Sequence, residues 1–278
     1  MSMELFGYFG AVLMGLSLGL IGGGGSILTV PILVYLFHID AVLATAYSLF
    51  IVGLTSLIGS GSHMRLGNIH WRTAIVFGIP SIISVYATRA WLVPALPDPL
   101  FSVGGVPIGK SIGILIFFAL IMVVAAFSMI RRPRMMKEKV EDDATPLKNS
   151  SNDRFNYPLI LAEGVIVGAI TGIVGAGGGF LIIPALVLLA KLPMKTAVGT
   201  SLIIIAAKSL LGFLGDLHGD EVINWGFLGI FSIIAIAGIL AGTMLSKRIS
   251  NAHLRPAFGW FVLIMGIYII TREISAIS

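Results

Sequence analysis

Cysteine is absent from the 278 residues, which excludes disulfides, thiolate metal sites and cysteine nucleophiles. Charge is scarce: only 11% of residues are Asp, Glu, Lys or Arg, against about 25% in an ordinary soluble domain. What fills the chain instead is 57% hydrophobic residues, in runs long enough to cross a hydrocarbon core of roughly 30 Å. The expected class is an all-α polytopic membrane protein embedded in a lipid bilayer. The net charge of +5 lies mostly in short loops, where the positive-inside rule accounts for it, and no large soluble module carries a nucleic-acid surface. The opening MSMELFGYFG has no basic n-region, and no small-residue cleavage site follows. The first apolar run is therefore expected to stay in the membrane.

The one long polar stretch, RRPRMMKEKVEDDATPLKNSSNDR at 131 to 154, reads as a linker between two halves. When the second half is laid on the first, GIVGAGGGFLIIPALVLL (172 to 189) matches GLIGGGGSILTVPILVYL (19 to 36) without a gap. Gly19, Gly22, Gly24, Gly25 and Pro31 coincide with Gly172, Gly175, Gly177, Gly178 and Pro184. Further on, Ala44, Ser48, Ser56 and Gly59 meet Ala197, Ser201, Ser209 and Gly212, and with one inserted residue Trp71 meets Trp225. The chain is a tandem repeat. The division expected is an N-terminal transmembrane repeat over 1–130, a polar linker over 131–156 and a C-terminal transmembrane repeat over 157–278.

Each repeat predicts about five helical segments: a first helix (about 5–21 and 157–174), a glycine break, a short helix (about 26–37 and 179–190) and three longer helices. A dozen residues at 1.5 Å each reach about 18 Å, short of the membrane core. The short helix either stops partway or forms the second leg of a hairpin turning near the middle. Basic residues suggest the orientation. If each repeat crosses an odd number of times, the repeats are inverted and the linker, with Arg131, Arg132, Arg134, Lys137 and Lys139, is cytoplasmic. The loops carrying Arg65 and Arg72, Lys191 and Lys195, and Lys247, Arg248 and Arg255 then also fall inside. GDLHGDE (215 to 221), the proline-rich PALPDPLFSVGGVP and both termini fall outside. One full crossing plus one dip per break would upset that parity.

Glycine inside a helix costs roughly 1 kcal/mol relative to alanine, so GGGG at 22 to 25 and GAGGG at 175 to 179 are gaps in helices. Inverted repeats with paired broken helices hold substrate where the half-helices end. A helix N-terminus offers unpaired N–H groups and partial positive charge, which suits an anion. The candidate contacts are Gly23, Gly24, Gly25 and Ser26 in the first copy and Gly177, Gly178 and Gly179 in the second. Gly15 with Gly19, and Gly168 with Gly172, have the spacing of close helix packing instead. A phosphate-loop reading fails because no Lys-Ser/Thr pair follows the glycines.

Lys208 lies inside the apolar stretch AVGTSLIIIAAKSLLGFLG, where a charge costs at least a few kcal/mol. Either its stem snorkels to the outer interface, or it faces the cavity and supplies a cation, with Ser48, Thr200 and Ser201 as hydroxyl donors. Its counterpart in the first repeat is Thr55. Glu163 is either a protonatable coupling group or a carboxylate near the cytoplasmic surface. The five histidines, His38, His63, His70, His218 and His253, fall at helix ends or loops. That placement points away from an intramembrane protease or a metal transporter.

The duplicated GLIGGGGSILTVPIL and GIVGAGGGFLIIPAL, followed by ATAYSL and AVGTSL and then by GNIHW and VINW, resemble the sulfite exporter TauE/SafE family, also called the toluene-sulfonate uptake permease family. The resemblance covers nearly the whole chain. It implies a permease of the cytoplasmic membrane for sulfur-containing anions such as sulfite, thiosulfate or organosulfonates. Direction and substrate vary among members. The expected function is a secondary transporter of such an anion by alternating access around a midplane site, with no cofactor. An anion channel using the same half-helix ends is the alternative, and an intramembrane enzyme a more distant one.

Overall fold

The computed structural model describes residues 2–103, 106–130, 157–188, 190, 192–217, 223–246 and 251–277. The linker 131–156, Lys191, His218 and the basic Lys247 and Arg248 lie outside the described residues. Helix α1 (Ser2–Ile21) ends at the first glycine run, which winds into a 3-10 segment (Gly23–Leu28) and passes into a short helix α2 (Thr29–Leu36). Then come α3 (Ala41–Arg65) and α4 (Trp71–Ala87). Helix α4 continues through a π-helical turn (Thr88–Leu92) into the short α5 (Val93–Ala95). Strands β1 (Phe101–Val103) and β2 (Val106–Ile108) form an antiparallel hairpin before α6 (Lys110–Ile130). The second half follows as α7 (Tyr157–Val174), short α8 (Gly179–Leu188), α9 (Met194–Asp216), α10 (Trp225–Ser246) and α11 (Asn251–Ile277). Among the described residues six helices are long and apolar enough to cross a membrane and one small hairpin is present, which the proline-rich segment did not announce; the protein is an all-α polytopic membrane protein.

Local chemistry explains the boundaries. Asp40 caps α3 by accepting the Val42 N–H at 2.8 Å, and Asn224 Oδ1 accepts the Phe227 N–H at 3.0 Å to start α10. The second break turns through left-handed glycines, with φ of +73° at Gly175 and +63° at both Gly177 and Gly178. Only glycine adopts that run without strain. The first break differs. Only Gly22 is left-handed there, and the 3-10 segment begins at Gly23, three residues before the Ser26 start that the sequence suggests.

Packing couples the halves in a crossed pattern. Helix α1 packs on α10, α4 on α7, α3 on α9 and α6 on α11. Small residues carry the first two pairs: a side chain at Gly15 or Gly19 would strike the α10 backbone at Ala235 or Ile239, and one at Gly168 or Gly172 would strike Ser81 or Thr88. The packing reading of those four glycines is the observed one. Helices α3 and α9, which correspond in the internal repeat, run antiparallel against each other. Thr45 at the start of α3 lies beside Asp216 at the end of α9 through Arg89, Phe50 stacks on Phe213 at 5.2 Å, Gly53 abuts Leu210, and Gly199 abuts Asn68.

Candidate functional site around the two glycine breaks

The breaks touch. A Cβ at Gly23 would overlap Gly179 Cα, and a Cβ at Gly179 would overlap Gly23 Cα, C and O. Each break also leans on the long helix of the other half. Gly22 faces Val198 and Gly23 faces Ile205, both on α9, whereas Gly175 faces Thr45 and Gly177 faces Val52, both on α3. Ser201 shares a face of α9 with Val198 and Ile205, and Ser48 shares one of α3 with Thr45 and Val52, by helical spacing. Consecutive glycines here are therefore packed as tightly as the spaced ones. Contiguity alone does not mark an open cradle, because two backbones must pass each other at this point.

The candidate hydroxyls differ in what they do. Ser48 Oγ is buried without a hydrogen-bond partner. Ser201 Oγ donates to Val198 O at 2.8 Å and Ser26 Oγ to Gly23 O at 2.7 Å, so both spend their protons on their own backbone. Thr200 Oγ1 accepts the His70 N–H at 2.9 Å, which ties the turn between α3 and α4 onto α9. Its counterpart exists in the other copy, where Tyr47 OH on α3 accepts the Asn224 N–H at 2.7 Å. In both cases the N–H belongs to the residue preceding the matched tryptophan. Gly24 and Gly25 are buried in the 3-10 segment, and Gly25 lies against Ser17 and Leu18 of α1.

Lys208 is completely buried. Its stem does not snorkel outward; Nζ turns inward and donates to Thr171 Oγ1 on α7 at 3.0 Å. A Cβ at Gly178 would fall 2.8 Å from that nitrogen, so the amine sits against the second break. No carboxylate among the described residues pairs with it. Nearby, Thr55, Ser56 and Ser209 also bury hydroxyl oxygens without partners. Glu163 is half-buried in the early turns of α7, away from this cluster.

One buried charged residue escaped the sequence reading altogether. Arg89, in the π-helical turn, is 1% exposed and pairs with Asp216. The signal was present: an arginine in the otherwise uncharged ISVYATRAWLV, and an aspartate at the end of the long helix α9.

Comparison with known proteins agrees with this architecture. A family profile described as Sulfite exporter TauE/SafE matches residues 8–269. A probable membrane transporter protein of Xylella fastidiosa is 29% identical over 94% of this chain and 92% of its own. One of Methanocaldococcus jannaschii is 27% identical over 93% of this chain and 94% of its own. No solved structure matches significantly. With the match spanning both glycine breaks and all the long helices, the chain belongs to the sulfite exporter TauE/SafE family.

Proposed function

We propose that the protein is a secondary transporter of the cell membrane that moves a sulfur-containing anion of the sulfite or organosulfonate type by alternating access around the two glycine breaks. The observation that carries this reading is Lys208: a basic nitrogen fully buried against the second break, given one hydroxyl and no carboxylate among the described residues. A buried charge is costly unless paired, so such a site gains most from an anion. The N-terminus of α8 at Gly179 adds partial positive charge beside it. Ser48, with its unspent hydroxyl, and the backbone of residues 23 to 26 and 177 to 179 complete the site, with Ser201 on the helix face that lines the first break and Thr200 anchoring the adjoining turn through His70.

In this reading residues 1–130 and 157–278 are inverted repeats, which the antiparallel α3 and α9 support. The linker 131–156 is cytoplasmic and both termini lie outside. The names of the relatives, probable membrane transporter proteins, support transport; the family's description supports the sulfur anion. Flux into proteoliposomes tests it, with sulfite, thiosulfate, taurine and sulfoacetate as the panel. Counterflow of at least one is expected. Absence of counterflow and of gradient-driven movement for all four refutes the substrate class, and conductance far above carrier turnover refutes the carrier mechanism.

A further inference from the structure

Arg89 heads the largest fully buried side chains among the described residues, and the anion site above gives it no task. It sits in a single π-helical turn, a feature that recurs at functional sites. Four elements meet at its guanidinium. Nε donates to Asp216 Oδ1 at 2.7 Å and Oδ2 at 2.9 Å, at the end of α9. Nη1 donates to Thr45 Oγ1 on α3 at 2.9 Å and to Gly172 O on α7 at 3.2 Å. Gly172 directly follows Thr171, the partner of Lys208. Consecutive residues in the last turns of α7, just ahead of the second break, thus hold the two buried basic side chains. Thr45 in turn is the residue on which Gly175 of that break rests.

Asp216 fills one edge of the fork: both of its oxygens lie within hydrogen-bond reach of Nε, and Oδ1 is 2.6 Å from Nη2. An arginine presents five donors in a fixed plane. Two carboxylate oxygens engage the Nε–Nη2 edge, and the three oxygens of a sulfite or sulfonate can engage the same edge with one left for a further donor. The two partners also differ in freedom. The Arg89 side chain is 0% exposed and held by Thr45 and Gly172, while that of Asp216 is 15% exposed at a helix end. Asp216 can swing into water; Arg89 cannot follow. Exchanging one anion for another on Arg89 leaves the buried guanidinium with a counter-ion before and after the exchange, which limits its cost in a low dielectric.

We propose that Arg89 is a second anion-binding residue on the route to Lys208, and that Asp216 occupies its fork until the incoming three-oxygen anion displaces it. The inference rests on the anion-transporter reading and adds an outer station to it. It differs from a purely structural ion pair in one respect. A structural pair loses its purpose when both charges are removed, and the double neutral variant then behaves like the wild type. An anion station keeps its arginine dependence.

Binding of sulfite, thiosulfate, sulfoacetate, sulfate and chloride to the full chain in detergent tests this, read by titration calorimetry and by the shift in melting temperature. Asp216→Asn is expected to bind at least one of the five about tenfold more tightly than the wild type, and Arg89→Gln/Asp216→Asn is expected to lose that gain. If Asp216→Asn binds none more tightly, or if the double variant keeps the gain, the proposal is overturned. Should Asp216→Asn not fold, Arg89→Lys supplies the readout: it keeps a charge for Asp216 but loses the fork, so anion affinity falls about tenfold in protein that a melting scan shows to be folded. Unchanged affinity there, or a wild type that binds none of the five, overturns the proposal. An Arg89-dependent gain confined to sulfate supports the station and refutes the sulfite or organosulfonate substrate instead, and one confined to chloride overturns the proposal.

Discussion

Replacing Gly179 with alanine inserts one methyl group where the two breaks touch. Its Cβ overlaps Gly23 Cα, C and O, which are all backbone atoms, so no rotamer change relieves the clash. Overpacking of this kind costs about 1–3 kcal/mol, and rigid neighbours on both sides place it near the upper end. Alanine recovers at most about 1 kcal/mol of helix propensity at the start of α8. The net expectation is a loss of about 2 kcal/mol, roughly 30-fold in the folding equilibrium. Gly61→Ala in α3 is the control: nothing lies within 4 Å of its added Cβ, so it is expected to gain up to about 1 kcal/mol. Reversible unfolding in mixed micelles, followed by tryptophan fluorescence, compares the two. Because the contact is reciprocal, Gly23→Ala should lose a similar amount, and the double variant less than the two losses combined. A Gly179→Ala protein as stable as Gly61→Ala would show that the breaks do not meet backbone to backbone, and the composite site would lose its foundation.

Three further outcomes follow from the described contacts. Lys208→Met removes the buried amine and keeps the stem, so anion affinity should fall at least about tenfold, whereas Lys191→Ala should leave it unchanged; equal effects in a binding titration would remove Lys208 from the site. Tyr47→Phe and Thr200→Val each strip the acceptor from a partly buried N–H, a loss of about 1–3 kcal/mol in unfolding experiments, and an effect in only one of them would break the equivalence of the two contacts. His70 caps α4, with Nδ1 accepting the Thr73 N–H at 3.3 Å, and desolvation, with Arg72 adding to it, holds its imidazole below the usual 6.5. A depressed histidine favours the neutral form in the folded state. The cap's stability is therefore complete above pH 6.5 and lost as pH falls through the lowered folded value. Melting temperature against pH should drop over that window in the wild type and stay flatter in His70→Asn, which keeps an acceptor and does not titrate; parallel curves would contradict it.

Much of the architecture was legible because glycine and proline are expensive in the wrong place. The coincidence of Gly22, Gly24, Gly25 and Pro31 with Gly175, Gly177, Gly178 and Pro184 identified two short helices and their breaks, and α7 falls where hydropathy put it, at Tyr157–Val174. The start of α2 was misplaced because a glycine run can wind into a 3-10 turn as readily as it can stay open, a choice decided by the packing of Gly23 on Gly179. The direction of Lys208 was not readable at all. A lysine stem reaches either way, and only the position of α7, a separate segment of chain, selects Thr171 as its partner. Ser26 and Ser201 illustrate the same limit: a hydroxyl on a helix can donate to its own backbone three residues back, and sequence does not distinguish that from a donor held ready. Arg89 was missed for another reason. Its role depends on Asp216, more than a hundred residues away, and an isolated arginine near a proline-rich loop reads as a surface charge.

The matched contacts, His70 to Thr200 and Asn224 to Tyr47, have a consequence for the energetics of any motion the molecule makes. If the two copies are inverted, as proposed above, exchanging their conformations would convert a state open to one side into a state open to the other, with the same pair of backbone clasps available to both. Two conformers related in this way differ in free energy only through the positions where the copies disagree. Most of those positions exchange one apolar residue for another, and a few are charged or polar. Lys208 stands opposite Thr55, and Arg89 and Asp216 have no charged equivalents of their own in the other copy. Part of any bias between two such states would then be written in the same side chains that are proposed to hold the cargo.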